Sequence, residues 1–179
     1  MSNFLITGCA RSGTGYINKL FNTLGLPCGH ESIFNRGLNQ KTYPGLLEKW
    51  RNSNRGESSW YSAPFLFDLP KDIIIFHQIR DPFSVIKSIL RLPSAGSTFL
   101  KDDSSGSKYV YSHCPDVKLG KSHAERALLY WIHWNTLIEN ELTNFNIPHF
   151  RYCINNLDVT TVKKMTNLLN FNISDDDIQ

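Results

Sequence analysis

The stretch from Phe4 to Ile17 restricts the fold more than any other part of the chain. An apolar run, Phe4-Leu5-Ile6, enters a turn at Thr7-Gly8 and then passes through the small polar residues Arg11-Ser12-Gly13-Thr14-Gly15. Apolar positions at Tyr16, Ile17, Leu20, Phe21 and Leu24 follow with helical spacing, and Gly25 suits the helix end. Strand, glycine turn and helix in that order form a cradle where backbone N–H groups and the helix dipole face an anion. A buried strand that feeds a helix also needs parallel partners, because the helix must pack back on the sheet.

The remaining pattern supplies such partners. Leu26–Gly29 reads as a short second strand, and Gly29-His30-Glu31-Ser32 as a turn carrying two ionisable side chains. Residues 32–58 read as a polar surface excursion with a helical patch at Gly45–Arg51. Trp60–Phe67 is an irregular apolar segment or a helix start. Asp72–Ile79 reads as a central parallel strand, since four consecutive apolar residues with β-branching suit burial on both faces. Asp81 then caps, and Pro82 opens, a helix that runs to about Leu92. Residues 93–122, rich in Ser, Gly and Lys, read as a long loop or lid. A long amphipathic helix over 123–142, a strand over Asn146–Ile154 and a helix over Val159–Leu169 complete the chain. This alternation predicts an α/β fold: one three-layer domain over residues 1–179, with a parallel sheet flanked by helices. Ligands of such sheets bind beyond the carboxyl ends of the strands, where both Arg11 and Arg80 fall.

Composition narrows the function classes. The net charge of +3 comes without a dense Lys/Arg stripe, which argues against a nucleic-acid partner. No run approaches the ~18 apolar residues of a membrane span, and the first residues lack the features of a secretory signal, so the chain reads as cytoplasmic. Cys9, Cys28, Cys114 and Cys153 form no CxxC pair and no zinc-like spacing, and they read as free thiols. Oligomeric state is not encoded in any pattern of this kind.

The loop chemistry is specific. Gly8-x4-Gly13 has the glycine frame of a P-loop, but Thr14-Gly15 stands where a nucleoside triphosphatase carries Lys and then Ser or Thr. The lysine for the outer phosphates and the hydroxyl for magnesium are both missing. Arg11 lies inside the loop instead, and its guanidinium can fork onto oxyanions without a metal.

Arg11-Ser12-Gly13-Thr14 after Thr7-Gly8 resembles the 5′-phosphosulfate loop of the sulfotransferases that use 3′-phosphoadenosine 5′-phosphosulfate (PAPS), where the pattern is [K/R]-S-G-T-[T/S]. Their second signature is an arginine at the end of a central strand, then D-P, then a serine. Here it is Arg80, Asp81-Pro82 and Ser88. The resemblance covers residues 3–31 and 72–90, and extends more weakly to Trp131-Ile-His-Trp134-Asn135. It implies a P-loop-NTPase-like sheet and transfer of a sulfuryl group from PAPS to a hydroxyl or amine, with 3′,5′-ADP as product and no metal. It also implies that Arg11, Ser12, Gly13, Thr14, Gly15 and Tyr16 hold the 5′ end of the cofactor, and that Arg80 and Ser88 hold the 3′-phosphate. Ser84, on the same helix, competes with Ser88.

Such a transfer needs a base, and Glu31 is the first candidate, with His30 the alternative. His77, inside a strand, reads as a packed core histidine. Trp60 reads as a core anchor with base stacking as the alternative, and Trp131 and Trp134 as core packing. The acceptor, a small molecule, glycan or peptide, would be shaped by residues 32–60 and 93–122. Arg36, Lys41, Lys49, Arg51 and Arg55 make the first of these basic.

The chain departs from the family pattern in three places. Gly15 replaces a hydroxyl residue, no R-K-G-x-x-G motif appears near the end, and Asn155-Asn156-Leu157 stands where many members have E-D-L. These features set the chain nearer the bacterial, carbohydrate and tyrosylprotein branches than the cytosolic one. They also keep open a diverged P-loop kinase or hydrolase and a nucleotide-binding protein without catalysis.

Overall fold

Short apolar strands joined by amphipathic helices leave little choice but a parallel sheet covered on both faces. The computed structural model describes residues 3–35, 41–53, 55–91, 99–101 and 104–174. Its strands are β1 (Phe4–Thr7), β2 (Cys28–His30), β3 (Gly56–Ser58), β4 (Ile74–Ile79) and β5 (His149–Cys153). They form one sheet in the order β2-β3-β1-β4-β5, and every pairing is parallel. The helices are α1 (Thr14–Thr23), α2 (Tyr43–Arg51), α3 (Pro82–Leu90), α4 (Ser105–His113), α5 (His123–Asn144) and α6 (Val159–Leu168).

Alternation along the strands sorts the core into two layers. Phe4, Ile6, Phe76 and Tyr152 pack with Ile17 and Phe21 of α1 and with Met165 of α6. Leu5 and Ile75 face the other way, towards Trp50, Val85, Val110, Trp134 and Ile138. Trp60 belongs to this second layer: it is buried, with ring centroids 5.4 Å from Trp134 and 5.6 Å from Tyr109, as a core anchor would be. The chain adds β2 and β3 on one side of β1 and β4 and β5 on the other. The sheet order therefore reverses at β1, and a crevice opens at its carboxyl end.

Two stretches differ from the sequence-based expectation. The loop expected over 93–122 contains α4 and a 3-10 segment at Pro115–Leu119, and Tyr109, Val110 and Val117 are buried in the core. Ser104 caps α4 by accepting from the Ser107 N–H. Residues 93–98 and 102–103 of that stretch lie outside the described residues. The polar excursion over 32–58 also anchors in the core through Ile33, Phe34, Tyr43 and Trp50, and it ends in β3. Arg36 of its basic set lies outside the described residues.

Candidate functional site

The loop after β1 is built on two backbone devices. Gly13 is the N-cap of α1 at φ 105°, a conformation open to glycine, and no side chain caps the helix. The Tyr16 N–H donates to the Gly13 carbonyl at 2.9 Å, but no side chain caps the Thr14 and Gly15 N–H groups, which leaves an anion site at the start of α1. Arg11, at φ 71°, is a non-glycine residue in the left-handed region. Strain of that kind persists only where the surroundings hold it.

Those surroundings are buried and polar. Gln78 Nε2 donates to the Ser12 carbonyl at 2.9 Å and to its hydroxyl at 3.3 Å, while Tyr152 Oη donates to Gln78 Oε1 at 2.5 Å. On the other side, the Ala10 N–H donates to Tyr130 Oη at 2.6 Å. Both tyrosines are buried, which pushes their hydroxyl pKa values well up and keeps them neutral, Tyr152 as a donor and Tyr130 as an acceptor. Gln78 and Tyr152 went unnoticed in the sequence, because interior polar residues on alternating strand faces carry no pattern of their own.

A cleft of about 170 Å3 lies against this loop, lined by Ala10, Arg11, Gly13, Thr14, Gly15, His30, Glu31, Trp60, Arg80 and Ser88. Residues read from the sequence as two separate anion sites are thus brought to one place. Arg11 Nε donates to Ser88 Oγ at 2.9 Å, and Arg80 Nη1 donates to the Arg11 carbonyl at 3.1 Å. Two of the expected residues are not brought into the wall. Ser12 is buried beneath the loop on Gln78, and Tyr16 sits outside it with 59% of its surface exposed. Ser84 does not line the cleft either, and its N–H serves the Asp81 cap.

α3 starts where it does because of a reciprocal clamp. The Asp81 N–H donates to Asn155 Oδ1 at 3.0 Å, and Asn155 Nδ2 donates to Asp81 Oδ2 at 3.0 Å. An amide accepts through its oxygen and donates through its nitrogen, so Asn155 fits beside a carboxylate where an acidic residue would repel Asp81. Bonds from Ser84, helped by Asn155, hold the Asp81 carboxyl below its ordinary value. Trp131 Nε1 donates to the Arg80 carbonyl at 2.9 Å, which fixes the turn from the α5 side.

His30 and Glu31 enter the cleft from the end of β2. His30 Nε2 lies 3.2 Å from Thr14 Oγ1 and 3.8 Å from Glu31 Oε1. A Cβ at Gly15 would stand 3.6 Å from the imidazole, so the ring fills space that a larger residue 15 would share. His77 is fully buried, with Nδ1 3.0 Å from Glu139 Oε1 and Nε2 3.4 Å from Asn135 Oδ1, and it takes no part in the cleft. Burial holds its pKa below the ordinary histidine value.

Comparison with protein-family models gives no match, and neither does comparison with curated protein sequences. Among solved structures, the chain is similar to a sulfotransferase domain from the curacin biosynthetic pathway, with a TM-score of 0.59 and 14% sequence identity. The match covers 99% of this chain and 76% of that one. The fold is therefore that of a sulfotransferase-like α/β domain. Among the described residues, no helix is long and apolar enough to cross a membrane.

Proposed function

We propose that the protein is a PAPS-dependent sulfotransferase. The observation that carries this reading is the convergence of Arg11, Arg80 and Ser88 on the uncapped start of α1. A nucleotide phosphorylated at both ends needs two sets of donors at one site, and a loop without the P-loop lysine is badly equipped for magnesium nucleotide chemistry. The residues present fit such a cofactor. First-turn N–H groups of α1 and Arg11 would hold the 5′-phosphosulfate, and Arg80 and Ser88 the 3′-phosphate.

When bound, PAPS supplies the sulfuryl group and a phosphate leaving group. Glu31 takes the proton of the acceptor hydroxyl or amine as the new bond to sulfur forms. Arg11 offsets the charge left on the 5′-phosphate oxygen as the old bond breaks. His30, between Thr14 and Glu31, is the alternative base. The acceptor is a small molecule, glycan or peptide.

A thermal shift with 3′,5′-ADP, compared with ATP plus magnesium, tests the reading. A ligand at about 100 times its Kd stabilises by roughly 2.7 kcal/mol. The expected result is a shift with 3′,5′-ADP that needs no metal. A shift with ATP-magnesium alone would instead mark a diverged kinase or hydrolase. Binding of 3′,5′-ADP without transfer to any acceptor would mark a protein that has lost catalysis.

A further inference from the structure

A carboxylate that no sequence pattern marked stands directly behind the candidate base. Glu57, the middle residue of β3, is fully buried. Its Oε1 accepts from the Ser32 N–H at 2.6 Å and from the Ile33 N–H at 2.9 Å, and its Oε2 accepts from the Ser32 hydroxyl at 2.8 Å. Arg55 Nη2, two residues back on the chain, donates to the same hydroxyl at 2.9 Å. The neighbouring Glu31 N–H donates to the Ser58 carbonyl at 3.1 Å. Three consecutive residues of the turn are therefore tied to β3.

The tie is needed because the turn is strained. Glu31 has φ 50°, in the left-handed region that non-glycine residues avoid. Room for the tie is also built in. Gly29 is the register partner of Glu57, and a Cβ there would come within 2.1 Å of Glu57 Oε2 and 2.3 Å of Ser32 Oγ. The carboxylate thus crosses over a missing side chain to reach the turn. A buried carboxylate committed wholly to backbone and hydroxyl donors of one turn acts as a rigid template for it.

We propose that Glu57 is the positioning residue of the site: it holds the 31–33 turn in its strained form and so fixes the Glu31 carboxylate in the cleft. This rests on the reading of Glu31 as the base. Among the described residues, the hydrogen bonds of Glu57 go to Ser32 and Ile33 rather than to Arg11, Arg80 or Ser88, so its role should separate from cofactor binding.

The test compares Glu57→Asp, which keeps the charge but falls one methylene short, with Glu57→Gln, which keeps an acceptor at the same reach. Amide exchange of the turn, the Kd for 3′,5′-ADP and turnover of PAPS with water as acceptor are measured for each. In Glu57→Asp, exchange at Ser32 and Ile33 should rise about ten- to hundredfold, the range of a lost charged hydrogen bond. Its Kd should stay within about twofold of the wild type while turnover falls about tenfold or more. Glu57→Gln should recover most of both losses. In a Glu31→Gln background, Glu57→Asp should cost no further turnover, an outcome that a merely structural residue would not give.

Unchanged exchange in Glu57→Asp, or an equal loss of turnover with and without Glu31, would overturn the proposal. So would wild-type protein that binds 3′,5′-ADP but turns over no PAPS. Failure of the wild type to bind 3′,5′-ADP would instead sink the cofactor reading, and the exchange data would still decide whether Glu57 holds the turn.

Discussion

Arg11 and Ser88, 77 positions apart in the chain, are joined directly: the guanidinium Nε donates to the serine hydroxyl at 2.9 Å. The residue expected to meet a phosphosulfate is thus held by a residue expected to meet a 3′-phosphate. On the proposed reading, a ligand with a 3′-phosphate would offer Ser88 a new partner and release Arg11, whereas a ligand without one would have to compete with Ser88.

Ser88→Ala should therefore move two ligands in opposite directions. Binding of 3′,5′-ADP should weaken about tenfold through the lost donor, while adenosine 5′-phosphosulfate, which lacks the 3′-phosphate, should tighten by about three- to tenfold. Calorimetric titration of both ligands checks this. Equal weakening of both would show that the hydroxyl does not restrain Arg11.

Gly13→Ala should damage both stability and binding. At φ 105° an L residue is strained by about 1–2 kcal/mol, and the new Cβ would sit 3.2 Å from Ile154 Cδ1. Urea denaturation should show that loss in the midpoint with an unchanged slope. The Kd for 3′,5′-ADP should rise as well, because the N–H groups at the start of α1 change direction.

Mild acid should weaken the fold through His77. Burial lowers its folded pKa below the ordinary value of 6.5, even with Glu139 beside it pulling the other way. The unfolded chain then binds more protons as the pH falls below 6.5. The contribution of His77 is complete above that value and is lost as the pH drops through the folded pKa. One such group gives a slope of at most about 1.4 kcal/mol per pH unit. His113, also depressed by burial, has the same sign. Denaturation midpoints should rise with pH up to about 6.5 and level off above it, and His77→Gln should flatten the rise.

Thiol chemistry should single out one cysteine of four. Burial pushes the thiols of Cys9 and Cys28 up to about 12, helped at Cys28 by the charge of Glu57, and burial pushes Cys114 up to about 11. Cys153 is partly exposed at the end of β5. Alkylation of the native protein at pH 8 should modify Cys153 quickly and the other three only after unfolding. Mass spectrometry of the digested product reads this directly.

The parts of the fold legible in the sequence were those with strong periodicity. β1, α1, β4, α3 and α5 follow from apolar runs, helical spacing and the Asp81-Pro82 cap. β3 was invisible, because Gly56-Glu57-Ser58 has no apolar residue and owes its place to pairing with β1 and β2. α4 was hidden by its own composition: Ser105-Gly-Ser-Lys reads as loop, and Tyr109 and Val110 bury too little apolar surface to show a stripe. At the site, Arg11, Arg80, Ser88, His30 and Glu31 were readable as residues with chemistry, but their convergence came only from sheet order. Glu57, Gln78 and Tyr152 were not readable, since their function lies in what they hold.

The parallel sheet has a consequence for how the site comes into being during folding. Its wall is contributed by chain segments after β1, β2, β3 and β4, and its floor is braced by Tyr152 from β5. Parallel strands are joined only through crossovers, so the stretch from Ala10 to Glu31 supplies most of the lining but Trp60, Arg80 and Ser88 join it only once β3 and β4 have paired. A growing chain would carry Arg11 before Arg80 and Ser88. It could not complete the support under the loop until β5, which follows every lining residue in the chain, had docked. Cofactor binding would then report a finished fold, and a truncation before His149 should lose it while leaving every lining residue present.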